Sequence, residues 1–158
     1  MNIRLRFLAA TFVALGAASL HAQVLSKPAI SLELAKKVAA RAEAEAAQRK
    51  WTVVIAIVDE GGNLVLLEKM DGTQLGSIEV ARAKATTALR FKRPTKAFED
   101  AVAGGRNAIL SLPGAVLVEG GVPLVVNGAM IGAIGISGMK SNEDGIVAAA
   151  AVTVLDKP

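Results

Sequence analysis

The chain has 158 residues, a formal charge of +4, no cysteine, no tyrosine and one histidine. Without cysteine it can offer neither a thiol nucleophile nor an iron–sulfur cluster. Aromatic residues make up only 3% of the chain and leave little to stack on nucleic-acid bases, so we expect no nucleic-acid partner. The length suits one compact domain.

The first twenty-two residues have the pattern of a secretory signal peptide. Arg4 and Arg6 give a positive start, Phe7 to Leu20 form an apolar stretch, and Ala22 supplies a small residue at the expected cleavage site. The stretch is too short and too rich in small residues for a good membrane span. We therefore expect a mature single domain of residues 23–158, periplasmic or secreted, with a charge of +2 after the loss of both arginines.

Loss of this segment would also remove His21, the only histidine. The mature chain would then lack the residues of the usual zinc site and of a Ser-His-Asp triad. We predict no dedicated metal-ion site, and any acid–base chemistry falls to Asp, Glu or Lys.

The mature chain begins with a helix followed by a hairpin. Ser31 is a good N-cap, and apolar residues then recur at helical spacing to about Lys50. An apolar, β-branched strand covers 51–58, turn residues occupy 59–63, and a second strand covers 64–70.

A second helix is predicted from about Ser77 to Lys92. Its apolar stripe consists of Ile78, Ala81, Ala85, Ala88 and Leu89. Lys84 belongs to neither the apolar nor the polar side, which predicts a stem along apolar surface and an ammonium that faces a cleft or an interface. Pro94 ends this helix, and Thr95 is positioned to cap a shorter one.

The stretch from 116 to 138 predicts a second hairpin, because apolar runs flank Asn127-Gly128, the preferred pair for a tight type I′ turn. Simple alternation places Met130 on the same face as Gly132, Ile134 and Ile136. Neither face of this arm is polar, which predicts a strand in the centre of the sheet. Its small residues leave room for a helix, another subunit or a ligand to approach closely.

We predict that Asn142 caps a last helix, which runs to about Leu155. The order of helices and strands indicates an α+β domain with a single antiparallel sheet of about five strands and flanking helices.

Five motifs in this order resemble the GlcG/HbpS family, also called haem-degrading or DUF336 domains: VDEGGNL (58–64), KMDG (69–72), KATTA (84–88), GGVPL (120–124) and IGAIGISG (131–138). The resemblance implies a profilin-like fold and homo-oligomers up to octamers. For secreted members it implies binding, and in some cases degradation, of haem. Other relatives lie beside enzymes of glycolate, diol or aromatic catabolism.

The resemblance implies haem as the cofactor. Arg82 and Lys84 are the candidates to hold its propionates. With His, Tyr and Cys absent from the mature chain, the hydroxyls of Thr86 and Thr87 and the thioether of Met70 are the other candidates for contact with the haem. Apolar burial is expected to supply most of the affinity.

Two other functions remain open. The chain is alternatively an enzyme or accessory subunit that acts on small carboxylic acids, with Asp71, Lys84 and Glu119 around one pocket and Asp71 and Glu119 as catalytic candidates. It is also compatible with an oligomeric scaffold or sensor module that meets a membrane-associated partner. Structural roles compete with each site residue: Asp71 in a glycine turn, Lys84 as a snorkelling lysine, and Glu119 beside a bulge.

Overall fold

The computed structural model describes residues 26–156, so the predicted signal peptide lies outside the described residues. None of the helices within 26–156 is long and apolar enough to cross a membrane. The elements in chain order are α1 (Leu32–Gln48), β1 (Val54–Asp59), β2 (Leu64–Lys69), α2 (Ser77–Phe91), α3 (Lys96–Ala103), β3 (Gly121–Val126), β4 (Ala129–Ser137) and α4 (Ser141–Val152), with short 3-10 helices at Asn107–Ser111 and Thr153–Asp156.

The strands form one antiparallel sheet in the order β2-β1-β4-β3. The described residues contain four strands in this sheet, where the sequence predicts about five. The difference lies before β3, where two backbone amides bond to side chains and not to a further strand. The amide of Val116 donates to the Thr87 hydroxyl, and the amide of Glu119 donates to the carboxylate of Glu99.

The sheet lies between helices, and its two central strands, β1 and β4, are buried on both faces. Ile55 and Ile57 of β1 pack with Ile134 and Ile136 of β4 beneath α1 and α4. The opposite face of the same strands, which includes Val58 and Ala133, packs against α2. This agrees with the prediction of a central strand that is apolar on both sides.

Helix α2 lies unusually close to the sheet because glycines line the crossing. A Cβ atom on Gly135 would collide with the carbonyl oxygen of Ala81, and one on Gly121 would collide with that of Lys84. The small residues of the predicted central strand therefore admit a helix backbone.

A β-bulge changes the side-chain alternation at the start of β4. Leu124 pairs with Gly132 and Val125 with Met130, which leaves Ile131 without a partner in β3. The extra residue reverses the alternation, so Met130 packs on the α2 side and Ile131 on the α1 side. The predicted placement of Met130 on the face of Ile134 is therefore wrong.

The caps of the last two helices also differ from the prediction. Helix α4 begins at Ser141, and its N-cap is Lys140, whose amide donates to the side chain of Glu143 at 3.1 Å. Asn142 thus lies inside the first turn. Thr95 does precede α3, but its hydroxyl accepts a hydrogen bond from the amide of Gly121 at 2.9 Å and so joins α3 to β3.

Candidate functional site

A buried ion pair joins α2 to α4. The ammonium of Lys84 lies 2.7 Å from Oδ2 of Asp144 and donates to the carbonyl of Ile136 at 3.0 Å, and both charged side chains are 2% exposed. Oδ1 of Asp144 accepts from the amide of Met139 at 3.0 Å. Both charged groups are therefore hydrogen-bonded, as burial of an ion pair requires.

The position of Lys84 corrects its predicted role. Its ammonium faces Asp144 in the interior and not a cleft, because a carboxylate sixty residues later in the chain meets it there. Burial raises the pKa of Asp144 above its ordinary value, although the hydrogen bond and the charge of Lys84 act in the opposite direction. In this fold the lysine stabilises a charge in the core and is not available to a propionate.

Glu119 lies at one end of a groove between β3 and α4, which we call the α4 groove. Its carboxylate rests on Gly145, and Oε2 is 3.7 Å from the ammonium of Lys96. The groove has a volume of about 250 Å³ and is otherwise mainly apolar, with Val122, Ala149 and Val152 among its lining residues. Within residues 26–156, no cluster of three or more His, Cys, Asp or Glu side chains is placed to hold a metal ion.

Three candidates for haem contact are close in sequence on α2 but differ in exposure. Arg82 is exposed and shares a shallow surface depression with the half-buried Thr86. Thr87 is fully buried, and its hydroxyl accepts from the amide of Val116 at 2.9 Å. The structure thus brings Arg82 and Thr86 together and leaves Thr87 out of reach of a ligand at the surface.

The remaining candidates lie near the other edge of the sheet. Met70 is half-buried and packs against the core beneath α1. Asp71 is exposed in a turn in which the amide and hydroxyl of Thr73 both donate to the carbonyl of Met70. Since β1 and β4 separate this turn from Glu119, the predicted pocket of Asp71, Lys84 and Glu119 does not form.

A cleft larger than the α4 groove lies at the other end of the sheet from that groove, where α2 ends and β4 begins. We call it the basic cleft. It has a volume of about 390 Å³ and is lined by Lys27, Pro28, Glu60, Gly61, Leu89, Arg90, Lys92 and Met130.

The charges of the basic cleft are at its exposed rim. Lys27, Arg90 and Lys92 are exposed, and none of them pairs with a carboxylate among the described residues. With Glu60 as the one acid in the lining, the cleft has a net charge of +2. Leu89 and Met130 are its more buried members. This arrangement suits a ligand with an apolar body and about two negative charges.

Sequence reasoning missed the basic cleft because its members are far apart in the chain. Lys27 precedes the first helix, Arg90 and Lys92 end α2, and Met130 begins β4. The available signal was the cluster of cations at the end of α2, which also complements the negative end of the helix dipole. Dipole complementation alone explains such a cluster, so the pattern did not single out a site.

The fold is that of a small α+β domain, and the described surface carries the α4 groove and the basic cleft as candidate ligand sites. A family model described as "Haem degrading protein HbpS-like" matches residues 30–153, and the chain belongs to this family. The resemblance seen in the sequence motifs is therefore confirmed.

Individual relatives agree with this assignment. Protein GlcG of Escherichia coli strain K12 is 39% identical over 112 residues, which cover 71% of this chain and 84% of GlcG. The crystal structure of Klebsiella pneumoniae protein ORFY, of family DUF336, has a TM-score of 0.79 at 29% identity and covers 89% of this chain and 99% of ORFY. The crystal structure of a PduOC:Heme complex has a TM-score of 0.72 at 30% identity and covers 81% of this chain and 96% of PduOC.

Proposed function

We propose that this protein is an exported haem-binding protein that sequesters haem, and that the basic cleft is where it holds the ligand. The proposal draws on membership of a family described as haem-degrading and on the similarity to PduOC, which was crystallised with haem. The observation that carries the choice of cleft is the combination of an apolar floor with a cationic rim.

The residues of the cleft fit the chemistry of haem. A porphyrin presents a flat apolar ring and two propionates, and the cleft offers apolar contact at Leu89 and Met130 beneath a net charge of +2. Arg90 and Lys92 would bind the propionates, and Leu89 would keep water from the ring. When bound, haem would supply a redox-active iron.

Export and self-association belong to the same proposal. A haem-sequestering role outside the cytoplasm agrees with the signal pattern of the first twenty-two residues, and homo-oligomers agree with the family resemblance. A membrane-associated partner is an alternative role for the same assembly.

Titration of the purified protein with haemin tests the proposal by the appearance of a shifted Soret band. We expect the double variant Arg90→Gln/Lys92→Asn to bind about tenfold or more weakly, since a charge-assisted contact contributes about 1.5–3 kcal/mol and exposure screens part of it. Asn is chosen at position 92 because Lys92 has a φ of 53°, a conformation that Asn tolerates.

The matched control is Lys36→Gln/Arg82→Gln, which removes the same charge at exposed positions outside the cleft. Equal weakening in both double variants would indicate a general charge effect, and weakening in the control alone would move the site to the depression beside Arg82. A wild-type protein without a Soret shift would overturn the proposal. Loss of the band over time would measure degradation in the same experiment.

The alternative function in small-acid catabolism receives less support from the geometry. Its three predicted residues do not share a pocket, because Lys84 is buried and Asp71 lies across the sheet from Glu119. Lys96 and Glu119 at the α4 groove remain the place where a small acid would be sought if haemin does not bind.

A further inference from the structure

The basic cleft contains one side chain with a soft donor atom, the thioether of Met130. The whole chain has no cysteine or tyrosine, and its single histidine is His21, before the expected mature start. Among the cleft residues, only the amines of Lys27 and Lys92, the guanidinium of Arg90 and the carboxylate of Glu60 carry other nitrogen or oxygen groups on their side chains. Methionine is an established axial ligand of haem iron, and its sulfur is polarizable.

The direction of Met130 results from the β-bulge at Ile131. Without the extra residue, strict alternation would place Met130 beneath α1, on the face of Gly132 and Ile134. The bulge instead sends it to the α2 side, where it packs beside Leu89 and lines the cleft. Bulges often occur next to active sites, where they redirect one side chain.

We infer that the thioether of Met130 would bind the haem iron, an inference that rests on the proposed function. The thioether would offer a sulfur lone pair to the iron, while the cations at the rim would bind the propionates. Because thioether sulfur is a soft donor, it would favour ferrous over ferric iron, and the protein would bind reduced haem more tightly.

Absorption spectra of the haem complex in both oxidation states test this inference. The ferric and ferrous spectra of Met130→Leu should both differ from those of the wild type, because the variant has no sulfur to bind the iron. Leu has a similar volume, and such substitutions are usually tolerated. We expect Met130→Leu to weaken ferrous binding about tenfold and ferric binding less. The matched control is Met139→Leu, at an exposed methionine outside the cleft, which should keep the wild-type spectrum.

A second variant, Met130→His, keeps the test decisive if Met130→Leu fails to fold. An iron next to position 130 should then show an imidazole-ligated spectrum that differs from the spectra of both the wild type and Met130→Leu. The inference is overturned if wild type and Met130→Leu bind haemin with identical spectra, or if the spectrum of Met130→His is unchanged; in both cases haem binding itself stands. If the wild type gives no Soret shift, the proposed function fails first and this inference with it.

Discussion

The buried pair of Lys84 and Asp144 shows how one contact constrains the interior. Two charges leave water at this point, and their attraction offsets that cost only because each also bonds to the backbone. Such a pair is weak evidence for net stability. Loss of one member, however, leaves the other charge buried and without its partner.

Substitution of Lys84 by Met should therefore destabilise the protein by about 3–5 kcal/mol near neutral pH. Burial already raises the pKa of Asp144, and loss of the adjacent cation raises it further. The folded state then holds a proton on Asp144 that the unfolded chain has released, so stability is highest below the unfolded pKa. It falls by about 1.4 kcal/mol per pH unit as pH rises towards the folded pKa. Urea unfolding between about pH 4 and pH 7 measures this slope against the wild type.

The control for this prediction is Lys37→Met, which breaks the exposed pair with Glu33. Exposed pairs contribute little, so the variant should stay close to wild type at each pH. A cost for Lys84→Met that does not vary with pH would contradict the account of Asp144.

Position 84 also shows the limit of prediction at the scale of one residue. The helical projection places Lys84 on neither face of α2, whereas the structure buries it with the residues of the apolar stripe. Its partner could not be predicted, because Asp144 had a sufficient local explanation as an acid in the first turn of a helix. The pair of Lys84 and Asp144 forms only when α4 packs close to α2 in the folded chain.

At the scale of elements, the close crossing of α2 over β4 requires a glycine at position 135. Gly135→Ala should push the helix away from the sheet and destabilise the protein by about 1–3 kcal/mol or more, because its Cβ meets the backbone of Ala81 and not a movable side chain. Gly76→Ala is the control, since a Cβ there meets nothing within 4 Å and its φ is −59°. Urea unfolding of both variants checks the prediction, and equal stability would show that α2 can shift freely.

The sequence predicted those elements that depend on local patterns. The stripe on α2 and the turn at Asn127-Gly128 followed from spacing and turn chemistry, and the turn residues do adopt positive φ. The bulge at Ile131 could not be predicted, because it depends on the register with β3 and no local sequence pattern indicates it. Because the bulge sets the direction of Met130, the sequence alone could not place this side chain in the basic cleft either.

At the scale of the molecule, several apolar side chains remain exposed on the described surface. Leu75 is 78% exposed and Leu110 is 62% exposed. Together with the family resemblance, this predicts a homo-oligomer, and light scattering on the purified protein should give a small multiple of the chain mass. A monomer mass at micromolar concentration, with and without haemin, would contradict the prediction.

The strand order has a consequence for how the chain folds. β1 is completed early in the chain, but its second neighbour in the sheet, β4, begins at Ala129. Until that strand emerges from the ribosome, the β1–β2 hairpin has an open apolar edge, and an isolated hairpin is only marginally stable. Formation of the native sheet must therefore wait for most of the chain, and the rate-limiting step should be the long-range pairing of β1 with β4. A chain that folds so late stays unfolded for longer while it is being made, which favours any partner that binds extended polypeptide.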